Sequence, residues 1–417
     1  TGDDKKVAKY FKDINKKQRM GTLDKWSEKA KPDYVEEFTR LANMEEDSAR
    51  GVVDKCRAYH RLNDTEELRR MRLEADAWTA AFFVPLTDMR SQMPTSGEVT
   101  RLRSQVLQDD LLAKQVKEIS DKSKFFHWYL EFPEVFAAGG FDVILGNPPW
   151  ERIKLQEKEF FAAKDSEIAN APTAAARKKL ISKLDETRSK LAREYAAALR
   201  KSESESKFIR NSERFPLTGV GDVNYYAVFA ELARVLICKE GRSGIIVPSG
   251  IATDYTYKDF FASIIGQGNL VSLFDFENRK GYFPGVHREQ KFCLLTLSGP
   301  SSKPIDFAFF LTQTTQLRNS DYLFTLSRED LELINPNTKT CPIFRTKKDA
   351  ELTRKLYRSA PVLVNEVMDA NPWDVSFLRM FDMTNDSHLF RTREDLEDNG
   401  FELCGNRFQK GDEIYLP

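Results

Sequence analysis

The stretch FDVILGNPPW, Phe141 to Trp150, constrains this chain more than any other. Its first residues form a short apolar run with turn residues on both sides, as expected for a strand buried in a parallel sheet, and Asn147-Pro148-Pro149-Trp150 ends it. Two consecutive prolines fix φ, supply no N–H groups, and leave carbonyl oxygens pointing away from the ladder. The carboxyl end of a strand is also where an open α/β sheet holds its ligands. The loop is therefore rigid, rich in acceptors, and placed where chemistry is expected. An amide side chain and a bare carbonyl can together accept two hydrogen bonds from one exocyclic amino group, and the adjacent indole offers a stacking face. That combination suits a nucleobase amine extruded from a duplex.

The remaining segments predict how such a strand is housed. VNYYAVFAELARVLICKEGR reads as an amphipathic helix ending near Gly241, SGIIVPSG as a strand that breaks at Pro248, and TYKDFFASIIGQG as a helix closed by glycine. LVSLFDFE, KFCLLTLSG and PIDFAFFL are strands, and the PSSK turn predicts an antiparallel pairing of the last two. The pattern implies a doubly wound, Rossmann-like α/β sheet, traceable only from the NPPW strand onward. Before it, residues 1–124 form a charged, helix-prone region with no strand-turn-helix unit. There VDKCRAYHRLNDTEELRRMRLEADAWTAAFF predicts one helix whose apolar face carries Leu62, Leu68, Met71, Leu73, Trp78, Phe82 and Phe83. Residues 125–311 form the core, interrupted by a charged insertion at about 151–214. Residues 312–417 are mixed and polar.

The insertion holds roughly sixteen basic and eleven acidic residues. Leu180, Leu184, Leu191, Tyr195 and Leu199 fall on one stripe, which predicts a helical hairpin or one long helix. Its charged face is either solvated or leans on DNA phosphates. For the whole chain of 417 residues the formal net charge is +0, which excludes a global field that would attract nucleic acid or membrane. Five cysteines and four histidines lie scattered with no CxxC pair, arguing for reduced thiols and against a zinc site. No apolar run approaches the roughly 18 residues that span a bilayer, and TGDDKKVAKYF has no signal-peptide character. The expectation is a soluble cytoplasmic protein without a membrane partner.

NPPW after FDVILG resembles the catalytic motif of the amino-group DNA methyltransferases that make N6-methyladenine. The neighbouring segments agree in order: FFHWYLEFPEVF before it, then VNYYAVFAEL, SGIIVPSG, LFDFENRKGYFPGVHREQKFCLLTL and PIFRTKKDAELTRKLY. Together, over roughly residues 60–417, they are similar to the large single-chain methyltransferases of type IIG restriction–modification and of phage-exclusion systems of the BREX or DISARM kind. The resemblance implies S-adenosylmethionine as cofactor, and double-stranded DNA and other restriction or defence subunits as partners. It implies that the Asn147 side chain and the Pro148 carbonyl accept from the adenine amino group, that Pro149 shapes the loop, and that Trp150 stacks on the flipped base. It also places Asn147 and Phe229 against the cofactor and Phe283 against the base. Phe229 as a helix-core aromatic and Phe283 as a packing residue are the alternatives. His287 and Arg288 are candidate phosphate contacts.

Such enzymes also carry, before the catalytic strand, a glycine-rich strand-turn-helix that holds the donor. Neither FAAGGFD nor LTGVGDVN has that context. The expectation is a piece of a longer protein, cut upstream of the catalytic strand and ending near ELCGNRFQKGDEIYLP, which by itself binds the donor poorly. Two competing functions remain. Asp275, Glu277 and Lys280 in SLFDFENRK superficially offer a metal-dependent nuclease. The chain can also be a non-catalytic DNA- or partner-binding fragment.

Overall fold

The computed structural model describes residues 3–20, 32–88, 92–104, 110–187, 189–380 and 382–416. The chain divides into two compact units, Thr1–Ala360 and Pro361–Pro417. No helix of the described residues is long and apolar enough to cross a membrane.

Ahead of the first strand the described residues are helical, with helices at Lys5–Met20, Pro32–Ala42, Ala49–Asn63, Glu66–Ala80, Ser96–Ser104 and Leu111–Ser123. The single helix expected across Val53–Phe83 is two, broken at Asp64-Thr65. The cause is local: Asn63 Nδ2 donates to the Tyr59 carbonyl (3.1 Å) and Thr65 Oγ1 to the Leu62 carbonyl (2.8 Å), so short polar side chains compete with the helical ladder. The predicted apolar face consequently serves several clusters. Leu62, Leu68 and Met71 pack with Tyr34 and Phe38, Leu73 packs with Leu102 and Val116, and Trp78 and Phe82 meet Phe208 edge-on.

The main sheet has six strands: β1 Phe141–Gly146, β2 Ile237–Pro248, β3 Leu270–Glu277, β4 Lys291–Ser298, β5 Ile305–Leu311 and β6 Phe324–Leu326. Their order is β1-β2-β4-β3-β5-β6. β1 is parallel to β2 and β3 to β5, whereas β4 runs antiparallel between β2 and β3. The fold is α/β. One face is covered by the helices Tyr225–Leu236 and Lys258–Gly266, whose Ala227, Ala230, Phe260, Phe261 and Ile264 pack on Leu273, Leu295 and Phe307. Burying each large side chain here stabilises by about 1.5–3 kcal/mol. β1 begins immediately after Gly140, whose φ of 123° and close approach to the Leu236 carbonyl leave no room for a side chain.

Three further expectations are corrected. β1, expected to be buried, lies at the end of the sheet and is largely exposed, because among the described residues it pairs with β2 alone and no element covers its Val143 and Leu145 face. β4 and β5 do not pair: β3 lies between them, and residues 299–304 step over its amino end, where Ser301 N donates to the Gly268 carbonyl (2.9 Å). β4 buries Phe292, Cys293, Leu295 and Leu297, alternating residues included, so it is most stable as a central strand with both edges paired. The helix expected to reach Gly241 ends at Leu236, because Ile237 is already extended and paired with Phe141.

Within the insertion, Ala174–Glu186 and Lys190–Asn211 form a helical hairpin, the second helix capped by Ser189, whose Oγ accepts from Ala192 N (3.2 Å). Leu180, Leu184, Leu191, Tyr195 and Leu199 close around Phe161 and Ile168 in a core of their own. The second unit carries a three-stranded antiparallel sheet, β7 Glu402–Cys404, β8 Arg407–Lys410 and β9 Glu413–Tyr415, with Gly405 and Gly411 supplying the positive φ of its tight turns.

Candidate functional site

Because β1, β2, β3 and β5 point the same way, their carboxyl ends share one edge. That edge collects Asn147 to Trp150 after β1, Ser249 after β2, the loop 278–290 after β3, and Lys291 at the start of the antiparallel β4. The Asn147 side chain is exposed and has no hydrogen-bond partner among the described residues, and Pro149 is likewise exposed. Trp150 is half-buried. Its Nε1 donates to the Ile246 carbonyl (3.3 Å), and its ring meets Phe283 edge-on at 5.1 Å and Phe292 at 6.1 Å. Phe276, Ala308 and Leu311 complete this cluster on the sheet face opposite the main helices. The structure thus brings Trp150 and Phe283 together. Since the rings touch, a planar base fits on a free ring face; entering between them would require their separation.

Phe283 is held by a residue that sequence reading overlooked. Asn278, fully buried, donates from Nδ2 to the carbonyls of Phe283 (2.9 Å) and Val286 (3.0 Å), and its Oδ1 accepts from Phe283 N (3.0 Å). Its own N–H donates to the Gln290 carbonyl (3.0 Å), closing the base of the loop. One amide therefore supplies partners that a short loop cannot find in a ladder. An asparagine directly after a strand and before GYFPG was the available signal. Phe292, the ring that joins Trp150 to Phe276, was legible only as a strand residue.

After the motif the chain is tied to the next crossover: Ile153 N donates to the Val223 carbonyl (2.9 Å) and Tyr225 N to the Glu151 carbonyl (3.0 Å). This anchors the loop at the start of the helix that carries Phe229. Phe229 is 42 % exposed, so it is not a core aromatic. His287 and Arg288 are exposed on the 278–290 loop, with the Arg288 guanidinium folded over Gly281.

The geometry argues against the nuclease arrangement. Asp275 is buried, and both of its oxygens are engaged, Oδ1 by the Ser249 hydroxyl and Oδ2 by Phe310 N (3.0 Å). Burial pushes its carboxyl above the ordinary range, and those two hydrogen bonds offset part of the rise. Glu277 is bound to Arg279 and lies 4.0 Å from Lys291. These carboxylates are occupied by structural partners, and no group of three or more His, Cys, Asp or Glu suited to a metal occurs among the described residues.

A methyl donor held beside Asn147 would need a wall beyond β1. β1 pairs with β2 and with no other strand among the described residues, and on one face of it Val143 is 61 % and Leu145 81 % exposed. The wall that would lie beyond β1 is not built by these residues. Of the two glycine-rich stretches, FAAGGFD is the turn into β1. LTGVGDVN follows a helix, with its Gly219 and Gly221 carbonyls accepting from Arg210 and its Thr218 bound to the buried Glu231. Neither is a strand-turn-helix.

Residues 71–193 match the Eco57I restriction-modification methylase family. No curated protein matches the chain. Among solved structures it is similar to the methyltransferase subunit of a type I restriction-modification system from Streptococcus thermophilus, at 12 % identity over 33 % of this chain and 35 % of that one (TM-score 0.26). The type IIG restriction endonuclease BpuSI aligns at 16 % identity over 63 % of this chain and 31 % of that one (TM-score 0.28). The ATP-dependent type ISP restriction-modification enzyme LlaBIII aligns at 12 % identity over 49 % and 11 % (TM-score 0.22). The chain thus spans about a third of the first two proteins and a smaller part of the third. The family match runs from the helices before β1, through the NPPW loop, into the helical insertion, and so includes all four residues of the motif.

Proposed function

We propose that the chain is the amine-binding part of a DNA methyltransferase that transfers a methyl group from S-adenosylmethionine to the exocyclic N6 of an adenine flipped out of duplex DNA, in restriction-modification or phage defence. The observation that carries this reading is the motif at the carboxyl end of β1, with an unpartnered Asn147 amide beside a pinned Trp150 and Phe283. The Eco57I family match across the motif supports it.

In this reading the Asn147 Oδ1 and the Pro148 carbonyl each accept a hydrogen bond from one N–H of the amine. That turns the nitrogen lone pair out of conjugation with the ring and toward the incoming carbon. S-adenosylmethionine supplies that carbon as a methyl on a sulfonium. Trp150 and Phe283 offer the base an aromatic face, and Pro149 keeps the acceptors rigid. Catalysis is mainly positioning, and no general base with a shifted pKa is needed beforehand. The exposed edge of β1 supports a donor pocket completed by polypeptide outside the described residues, with Asn147 and Phe229 facing it. The core at 125–311 is the catalytic part, and 312–417 leads toward a target-recognition region.

The second reading, a non-catalytic fragment that binds DNA or a partner subunit, is favoured by the same open edge. Transfer of tritiated methyl from S-adenosylmethionine to unmethylated duplex DNA, measured for this chain and for one extended to its natural N-terminus, separates the two. Asn147→Ala is expected to abolish transfer while DNA binding changes little, with N6-methyladenine as the product in the unaltered protein. Undiminished transfer by Asn147→Ala overturns the catalytic assignment, and absence of transfer in both unaltered chains favours the binding fragment.

A further inference from the structure

Phe310 is the one aromatic residue with a positive φ, 58°, among the described residues. A bulky side chain rarely adopts this conformation, and such strain tends to persist at functional sites. It has a clear local cause. The register between β3 and β5 slips from Phe274↔Ala308 to Phe276↔Leu311, so Phe309 and Phe310 together oppose Asp275. The Asp275 carboxylate accepts from Phe310 N (3.0 Å) and holds the bulge. The effect is to present the Phe310 ring at the carboxyl edge of the sheet to two cations. Lys291 Nζ lies 4.5 Å from its centroid and the Arg345 guanidinium carbon 4.7 Å.

Two like charges on one ring repel, because their separation is within the screening length of about 10 Å at 0.1 M salt. The nearby countercharge does not balance them. Glu277 is shared between Arg279 and Lys291, Asp275 is buried in its own hydrogen bonds, and Arg345, exposed, forms no ion pair among the described residues. A guanidinium stacked on a ring keeps its N–H fork free at the edge for phosphate oxygens. Lys291 directly precedes Phe292, which packs against Trp150 and Phe283. The cation pair therefore borders the proposed base platform from the other sheet face.

We propose that Lys291 and Arg345, presented on the Phe310 ring, form a contact for the phosphodiester backbone of DNA. This rests on the methyltransferase reading for its choice of polyanion. Each of the two cations is expected to neutralise one phosphate charge of the duplex.

The test is the salt dependence of binding of the 417-residue chain to a labelled duplex oligonucleotide. Each lost phosphate contact reduces the slope of log affinity against log salt by about 0.9. R345Q, a change at an exposed position, is expected to lower the slope by about one, and K291Q/R345Q by about two. K291R/R345K, which preserves the charges, and R50Q on a remote helix are expected to leave it unchanged. Unaltered slopes in R345Q and in a folded K291Q/R345Q overturn the proposal while leaving the methyltransferase reading to the transfer assay. Failure of the unaltered chain to bind duplex DNA overturns it as well. Normal, charge-dependent binding without methyl transfer in the extended chain overturns only the catalytic reading.

Discussion

Asn278 and Phe283 are joined by a pair of reciprocal hydrogen bonds: the asparagine amide donates to the Phe283 carbonyl at 2.9 Å and accepts from its N–H at 3.0 Å. The aromatic that touches Trp150 is thus positioned by a polar side chain with no exposure of its own. Asn278→Ala strands three partly buried backbone groups, the Phe283 and Val286 carbonyls and the Phe283 N–H, each costing about 1 kcal/mol. We expect a loss of about 3 kcal/mol in denaturant unfolding, together with broadened NMR signals across 279–290. A midpoint within error of the parent would show that water replaces the amide freely.

Trp150 fills the cluster with Phe283 and Phe292 and, in the proposed reaction, also offers the base a ring face. Trp150→Phe keeps an aromatic face but loses the Nε1 hydrogen bond to Ile246, so a destabilisation of about 1 kcal/mol with methyl transfer largely retained is expected. Trp150→Ala also opens a cavity, costing about 3–5 kcal/mol, and abolishes transfer. Equal transfer rates for the two variants at a temperature where both are folded would remove the stacking role.

Asp275 gives the chain a definite pH signature. Its folded-state pKa lies above the ordinary value because burial penalises the charged form. The stability associated with its proton is therefore fully present below its unfolded pKa of about 4 and is lost as pH rises through the higher folded value. Asp275→Asn keeps a neutral side chain, and the Ser249 hydroxyl can turn to accept from the new amide. Across that pH window the parent is expected to lose stability relative to Asp275→Asn. A parallel pair of stability curves would contradict the shift.

Leu145 on β1 is 81 % exposed and its strand edge is open. Leu145→Lys should change unfolding free energy by less than about 0.5 kcal/mol, since little packing is lost. It should also suppress concentration-dependent light scattering, because a charge on an open edge opposes strand addition. A destabilisation above about 2 kcal/mol would mean that the edge is covered in solution.

The β3 strand and the NPPW stop were legible because their causes are local: an apolar run, punctuating prolines and glycines, and one residue type with a fixed φ. The insertion hairpin was legible as one of two forms, since a stripe of leucines specifies a helical face but not where the chain turns. Where polar side chains compete with a ladder, as at Asn63 and Thr65, helix length was misread. What the sequence determined by itself was the order of elements and the proline loop that ends β1 at Asn147 to Trp150. Tertiary structure alone decided that β4 enters between β2 and β3, that Phe292 bridges Trp150 to Phe276, and that Phe310 is forced to a positive φ opposite Asp275. These depend on pairing between distant strands, whose register is set by the burial of both faces and leaves no periodic trace in either strand alone.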